Sequence, residues 1–144
     1  MKKLLPFIIV LVLASCKTTQ PTATDDVAAI RSILDQQQKA WSENDLEGFM
    51  YGYWESDELT YFSRGKITKG WNTTLANYKR NYPTKDDTGE LNFEIANITQ
   101  INNDAYYVMG SYFLTRKVGD ANGTFMIIFK RINGVWKIIG DSSC

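Results

Sequence analysis

The chain contains no histidine among its 144 residues, only two cysteines and three prolines, and its 16 basic residues are matched by 16 acidic ones. Without histidine it lacks the commonest metal ligand and the one side chain whose unperturbed titration falls near neutrality. That excludes His-based triads, His metal sites and His pH switches. The zero formal charge provides no basic excess to neutralise phosphates, so no nucleic-acid partner is expected. There is no phosphate-binding glycine motif, no closely spaced Cys pair and no G-x-S-x-G nucleophile elbow. The acidic clusters Glu43-Asn44-Asp45 and Asp86-Asp87 lack the spacing of a calcium loop and read as a cap and a turn. Neither a metal nor an organic cofactor is expected. What is present is a globular composition, 44% hydrophobic and 13% aromatic, in a length that fits one domain.

The N-terminus reads as an address. Met1-Lys2-Lys3 is a positive segment, and Leu4 to Leu13 is an apolar run of ten residues, half of the roughly 20 needed to span a bilayer. Residues 1–15 are therefore expected to be a signal peptide. Leu13-Ala14-Ser15-Cys16 resembles the bacterial lipobox, which makes Cys16 the expected lipidated N-terminus and places the protein in a bacterial cell envelope, held on a membrane by acyl chains. The alternative is ordinary secretory cleavage near Ala14 or Ser15. Residues 16–24, rich in Thr and free of large apolar residues after the Cys, read as a flexible tether, and 25–144 as the folded domain. With Cys16 modified and Cys144 at the far end, no disulfide is expected inside the domain, and Cys144, with no His to activate it, reads as an inert thiol.

Within the domain, Thr24 before Asp25-Asp26 reads as an N-cap, and Val27, Ile30, Ile33, Leu34 and Trp41 form one helical stripe, predicting a helix from Asp25 to Ser42. A shorter helix from Asn44-Asp45 carries Leu46, Phe49, Met50 and Tyr53 inward. Residues 59–68 read as a hairpin turning at Gly65. Trp71, Leu75, Tyr78 and Tyr82 repeat at four, three and four, a helix face that Pro83 ends. Four strands follow, Glu90–Ile101, Ala105–Lys117, Thr124–Arg131 and Val135–Asp141, joined by Asn-rich and Gly-rich turns of which Asn133-Gly134 is the strongest hairpin signal. Helices followed by a meander predict an α+β fold with the sheet curled around the helices.

Registers counted from the turns place Leu91, Phe93, Ile95, Tyr112, Leu114, Met126, Ile128 and Ile139 on one face, together with Arg116 and Asp141. That face is taken as concave. The other carries Phe113, Phe125, Ile127, Phe129 and Ile138, with Asn92 and Glu94 marking partial exposure or an oligomer contact. The middle hairpin is counted by opposing Lys117 to Gly123, and a one-residue slip there would exchange the faces of its first two strands.

The run Gln38-Lys39-Ala40-Trp41, Asp45-Leu46-Glu47-Gly48-Phe49-Met50, Tyr53-Trp54, Gly70-Trp71, Gly89-x-Leu91-x-Phe93-Glu94, Gly123-x-Phe125 and Trp136-Lys137-Ile138-Ile139 resembles the SnoaL-like branch of the nuclear transport factor 2-like superfamily, and within it an uncharacterised bacterial lipoprotein subfamily. The resemblance covers residues 25 to 143. It implies a cone: N-terminal helices packed in a curved antiparallel sheet, with an interior pocket and often a homodimeric assembly. Relatives of that shape include ketosteroid isomerase, epoxide hydrolases, polyketide cyclases and members that only bind or assemble, so fold does not settle function. The subfamily usually ends its last strand with Asp-His-Thr-Ser. Here the residues are Asp141-Ser142-Ser143-Cys144, so any catalytic role of that His is lost.

Ten aromatic residues lie between Trp41 and Tyr82. They read either as walls of a pocket for a small apolar molecule or as a core of large side chains, the second applying best to Trp71, Tyr78 and Tyr82. Trp41, Tyr53, Trp54, Trp71 and Tyr112 are the candidate ligand contacts. Asp141 and Arg116, surrounded by apolar residues on the counted face, read as a ligand-orienting or acid/base carboxylate tuned by a guanidinium, or as a structural ion pair at the sheet rim. Arg116 so placed would hold Asp141 ionised and poorly basic, which suits binding better than proton abstraction. Asp57 follows the second helix where the family often places an acid, and is a second candidate base or a solvated loop residue. The reading is thus a lipid-anchored domain that binds a small apolar molecule. The alternatives are a carboxylate-dependent isomerase or hydrolase, and a dimerising scaffold using the Phe113, Phe125, Ile127 and Phe129 face.

Overall fold

The computed structural model describes residues 22–144. Cys16, the signal segment and the first part of the tether lie outside the described residues. The first helix, α1 (Ala23–Ser42), starts two residues before the expected boundary. Thr22, not Thr24, is its cap: the Thr22 hydroxyl accepts from the Asp25 N–H at 3.3 Å, and the Asp25 carboxylate accepts from the Thr22 N–H at 2.9 Å. A cap at Thr24 would have Val27 three residues on, which cannot reciprocate. Ile30, Leu34, Gln37, Ala40 and Trp41 form the buried stripe. The Gln37 amide donates to the carbonyl of Phe49 at 3.0 Å, so this buried polar residue is satisfied.

Helix α2 (Leu46–Met50) is capped by Asp45, which accepts from the Gly48 N–H at 2.8 Å, and it buries Leu46, Phe49 and Met50. Tyr53 lies past its end, in a single parallel bridge with Ile138. Strands β1 (Thr60–Ser63) and β2 (Lys66–Lys69) form the expected hairpin, and α3 (Trp71–Asn81) follows. A fourth helical turn, α4 (Lys85–Thr88), was not expected; Thr84 and Asp87 close a capping box around it. Gly89 leaves it with φ 64°, where a Cβ would lie 2.1 Å from the carbonyl oxygen of Thr115, so only glycine fits.

The strands β3 (Glu90–Asn102), β4 (Ala105–Thr115), β5 (Ala121–Ile132) and β6 (Val135–Ser143) complete a six-stranded sheet in the order β2-β1-β6-β5-β4-β3. The fold is α+β, but the sheet is mixed and not wholly antiparallel, because β1 docks parallel to β6 with Tyr61 opposite Asp141. The free edge of β3 is covered from α1: the Leu91 N–H donates to the Ser42 hydroxyl at 2.9 Å and the Phe93 N–H to the side-chain Oε1 of Gln38 at 2.8 Å.

Two registers differ from the turn count. On β3 and β4, Leu91 faces Leu114 and Phe93 faces Tyr112 as expected, although the turn is Asn103-Asp104, because two register shifts along β3 absorb the difference. On β4 and β5, Leu114 faces Ala121 instead of Met126, a displacement of five residues. An odd displacement turns β5 over. Phe125, Ile127 and Phe129 therefore point into the core with Ile138, while Met126 is 44% exposed. Asp141 nevertheless stays inward, because an irregularity between the Ile128–Gly140 and Phe129–Ile138 pairs inserts one residue into β6. The core fills the space between α1, α2 and this inward sheet face.

At its far end Asp26, 5% exposed, accepts from Arg131 at 2.7 Å and from the Trp136 indole at 3.2 Å, and the guanidinium lies 4.4 Å from the Trp136 ring centroid.

Candidate functional site

A cavity of about 530 Å³ opens between α1, α2, α3, the β1–β2 hairpin and the inward face of the sheet. Its size falls within the range of small-molecule sites. Five tyrosines line it, Tyr53, Tyr61, Tyr78, Tyr82 and Tyr112, along with apolar walls that include Trp41, Phe49, Phe93, Phe125 and Ile127. The rings are locked edge to face: Trp41 lies 4.9 Å from Phe49 and 4.8 Å from Tyr82, centroid to centroid. Trp41 spends its indole N–H on the carbonyl of Thr88 at 2.9 Å, so it offers the cavity an apolar surface.

One side-chain carboxylate lines this space, Asp141, and it is 8% exposed. The Tyr53 hydroxyl donates to its Oδ2 at 2.5 Å, and the Ser143 hydroxyl donates to its Oδ1 at 2.5 Å. No Lys or Arg pairs with it among the described residues. Burial pushes the Asp141 carboxyl above its ordinary value of 3.8, against the opposing pull of the Ser143 and Tyr53 hydrogen bonds. Burial, reinforced by the charge of Asp141, likewise pushes Tyr53 well above the ordinary phenol value. Tyr61 and Tyr78 are raised, mainly by burial. These hydroxyls keep their protons at neutral pH and act as hydrogen-bond donors, leaving the carboxylate as the acceptor or base of the site.

Of the residues expected from sequence, Trp41, Tyr53, Tyr112 and Asp141 are brought together in the lining. Trp71 is not in it: its indole donates to the carbonyl of Met50 at 2.9 Å, a brace between α3 and α2. Trp54 is half-buried outside the lining, its backbone N–H bonded to the carbonyl of Ile138 at 2.9 Å. Asp57 is an exposed loop residue. Arg116 does not meet Asp141. It sits past the end of β4, where its Nε donates to the carbonyl of Gly119 at 2.7 Å and its backbone N–H to the Asp120 carboxylate at 2.9 Å. The displaced register carries it into that loop, and the expected depression of Asp141 by a cation is replaced by elevation through burial.

Ser143 was not among the site residues expected, and of the ten aromatics read as pocket wall or core, Tyr61 lines the cavity along with Tyr78 and Tyr82, for which the core reading fitted best. Signals for them exist in the sequence: Ser143 follows Asp141 by two residues on one strand face, and Tyr78 and Tyr82 continue the inward stripe of α3. No group of three or more His, Cys, Asp or Glu side chains converges to hold a metal ion among the described residues.

Among solved structures, the chain is similar to a nuclear transport factor 2-like protein of unknown function from Shewanella oneidensis MR-1, with 38% identity over 82% of this chain and 98% of that one and a TM-score of 0.79. The chain belongs to the nuclear transport factor 2-like superfamily. A nuclear transport factor 2-like protein of unknown function from Pseudomonas putida KT2440 shares 18% identity over 85% of this chain and 88% of that one, with a TM-score of 0.69. A ketosteroid isomerase-like protein from Erwinia carotovora atroseptica shares 15% identity over 83% and 95%, with a TM-score of 0.64. At those identities the likeness is one of fold alone. No protein-family model and no curated protein matches the chain. The cavity of this nuclear transport factor 2-like domain is the candidate site, and what it could hold has to be argued from its own residues.

Proposed function

We propose that the domain binds a small, largely apolar molecule in the cavity and that the Asp141–Tyr53 pair fixes the polar group at its inner end. The observation that carries this reading is a buried carboxylate, held by two hydroxyls, facing an aromatic cavity and paired with no Lys or Arg among the described residues. Such an arrangement costs folding energy that an apolar residue at position 141 would not. It favours a ligand that presents an O–H or N–H to Asp141 after giving up its own hydration. Cys16 is the proposed lipid attachment, tethering the domain to an envelope membrane.

The test is fluorescence titration with the neutral dye N-phenyl-1-naphthylamine. Binding at one site per chain, abolished by Ser63→Trp at the cavity mouth, is the expected result, and no saturable binding to the folded protein would refute the reading. Fractionation tests the tether separately: Cys16→Ser should release the protein from the membrane, and unchanged attachment would refute it.

A second reading rests on the raised Asp141. A carboxyl lifted by burial is a better base than a solvated one, and phenols kept protonated beside it can stabilise developing negative charge, so carboxylate-assisted isomerisation or hydrolysis of a small apolar substrate fits the same geometry. A turnover that Asp141→Asn abolishes without unfolding the domain would establish it. The scaffold alternative loses its surface, since Phe125, Ile127 and Phe129 are buried inside the cone and only Phe113 of that set is exposed.

A further inference from the structure

The mouth of the cavity differs in charge from its floor. Three basic side chains, Arg64, Lys66 and Arg80, line the same cavity as the aromatic rings. They arrive from two separate elements, the β1–β2 hairpin and the C-terminal turn of α3, and all three are exposed. None pairs with a carboxylate among the described residues, whereas Lys79, Lys85 and Lys117 each sit within 2.8 Å of one. Among the described residues the only side-chain carboxylate in the lining is Asp141, which is buried where these three are exposed.

Arg64 is also held where the backbone disfavours it. It has φ 50° and the following Gly65 has φ 74°, both positive, which is the geometry of a type I′ turn. The other turn of this kind in the domain, between β5 and β6, uses Asn133 with φ 50° and Gly134 with φ 80°. Asn adopts that conformation at lower cost than Arg, so the hairpin tip carries a guanidinium at a steric cost that asparagine would reduce.

We propose that the bound molecule is an organic anion seated head outward, its apolar body among the tyrosines and its carboxylate, sulfonate or phosphate group held at the mouth by Arg64, Lys66 and Arg80. This deepens the binding reading above and rests on it. Charge opposes the inward orientation, because it would bring the anionic head against the buried Asp141 carboxylate, which no Lys or Arg pairs with among the described residues. The mouth, in contrast, lets the head keep part of its hydration while gaining up to three charge-assisted hydrogen bonds.

The test compares two dyes that share one ring system and differ in charge: 8-anilinonaphthalene-1-sulfonate, which carries a sulfonate, and neutral N-phenyl-1-naphthylamine. Both are titrated into the full chain carrying Cys16→Ser, in detergent-free buffer at low salt. The sulfonate is expected to bind about tenfold tighter than the neutral dye, and to lose that advantage as salt is raised and the charges are screened. The triple variant R64Q/K66Q/R80Q should bring the two affinities together by weakening the sulfonate alone. A control with the same change in net charge away from the mouth, R31Q/K39Q/K130Q, should keep the preference. Equal affinities in the parent chain, or a preference that survives the mouth variant or vanishes equally in the control, would overturn the proposal while the neutral dye still binds. Failure of both dyes to bind a folded chain would overturn the binding reading itself. A thermal melt of each variant confirms that folded protein is being compared.

Discussion

The hydroxyl of Tyr53 donates to Oδ2 of Asp141 at 2.5 Å, linking the segment after α2 to the last strand across 88 positions of chain. Ser143 completes the second oxygen, so the carboxylate is solvated by two protein hydroxyls in place of water. The pair is at once the polar centre of the cavity and a stability liability.

That liability has a sign. Because burial raises the folded-state pKa of Asp141, the native chain holds a proton on it in a pH range where the unfolded chain has lost it. Its contribution to stability is present below the unfolded value of about 3.8–3.9 and declines as pH rises through the folded value, after which it stays low. Asp141→Asn removes the penalty while keeping the shape. At pH 7 the variant is expected to gain on the order of 1 kcal/mol and melt a few degrees higher, with no gain near pH 3. An equal effect at both pH values in paired thermal melts would contradict the assignment.

Tyr53→Phe should act in the opposite direction. It leaves one oxygen of a buried carboxylate without its donor, which costs about 1–3 kcal/mol at neutral pH. The loss should shrink to below about 1 kcal/mol when the same change is made in an Asp141→Asn background, since a neutral amide tolerates a missing partner better. A double-mutant cycle in urea measures this coupling. Additive effects would mean that the two side chains act independently.

The contrast between the two ends of the domain explains how far the sequence could be read. Helices α1 to α3 were legible because apolar residues recur at helical spacing, with Asp45 and Gly70 at the starts of α2 and α3, whereas the single turn α4 is too short to show a period, and Asn133-Gly134 announced its hairpin. The middle loop was not legible. Opposing Lys117 to Gly123 assumes a symmetric loop between them, but the loop is instead closed by Arg116, which bonds Gly119 and Asp120, and this sets β5 five residues away from the counted register. Asp141 was placed inward by a count that was wrong for its neighbours, and a one-residue insertion in β6 restores it. Its true partner Tyr53 could not be inferred, because the isolated parallel bridge between Tyr53 and Ile138 leaves no turn signal. The missing cation reverses the expected basicity of the site.

At the closed end, Arg131→Met leaves Asp26 buried at 5% exposure with only the Trp136 indole as partner. Breaking one side of a buried ion pair typically costs about 3–5 kcal/mol. The exposed Asp104 contact at 3.7 Å adds little to this. Stability should fall by about that amount while the affinity for the neutral dye is unchanged, since neither Asp26 nor Arg131 lines the cavity. A parallel loss of dye affinity in protein that calorimetry shows to be folded would mean that this pair supports the cavity wall.

Arg64→Asn separates what the hairpin tip does for folding from what it does for binding. Arg64 occupies a left-handed conformation, φ 50°, that costs an ordinary side chain about 1 kcal/mol, and Asn133 shows the same chain using asparagine at the equivalent position of another turn. The substitution removes strain and touches no hydrogen bond of the core, so a gain of about 0.5–1 kcal/mol is expected in urea unfolding. It also removes one of three charges at the mouth, so affinity for the sulfonate dye should fall about two- to threefold while the neutral dye binds as before. Stability and anion affinity moving in opposite directions is the signature of a residue retained for its charge. If Arg64→Asn instead left both dyes unaffected and only stabilised the fold, the guanidinium would have no part in recognition.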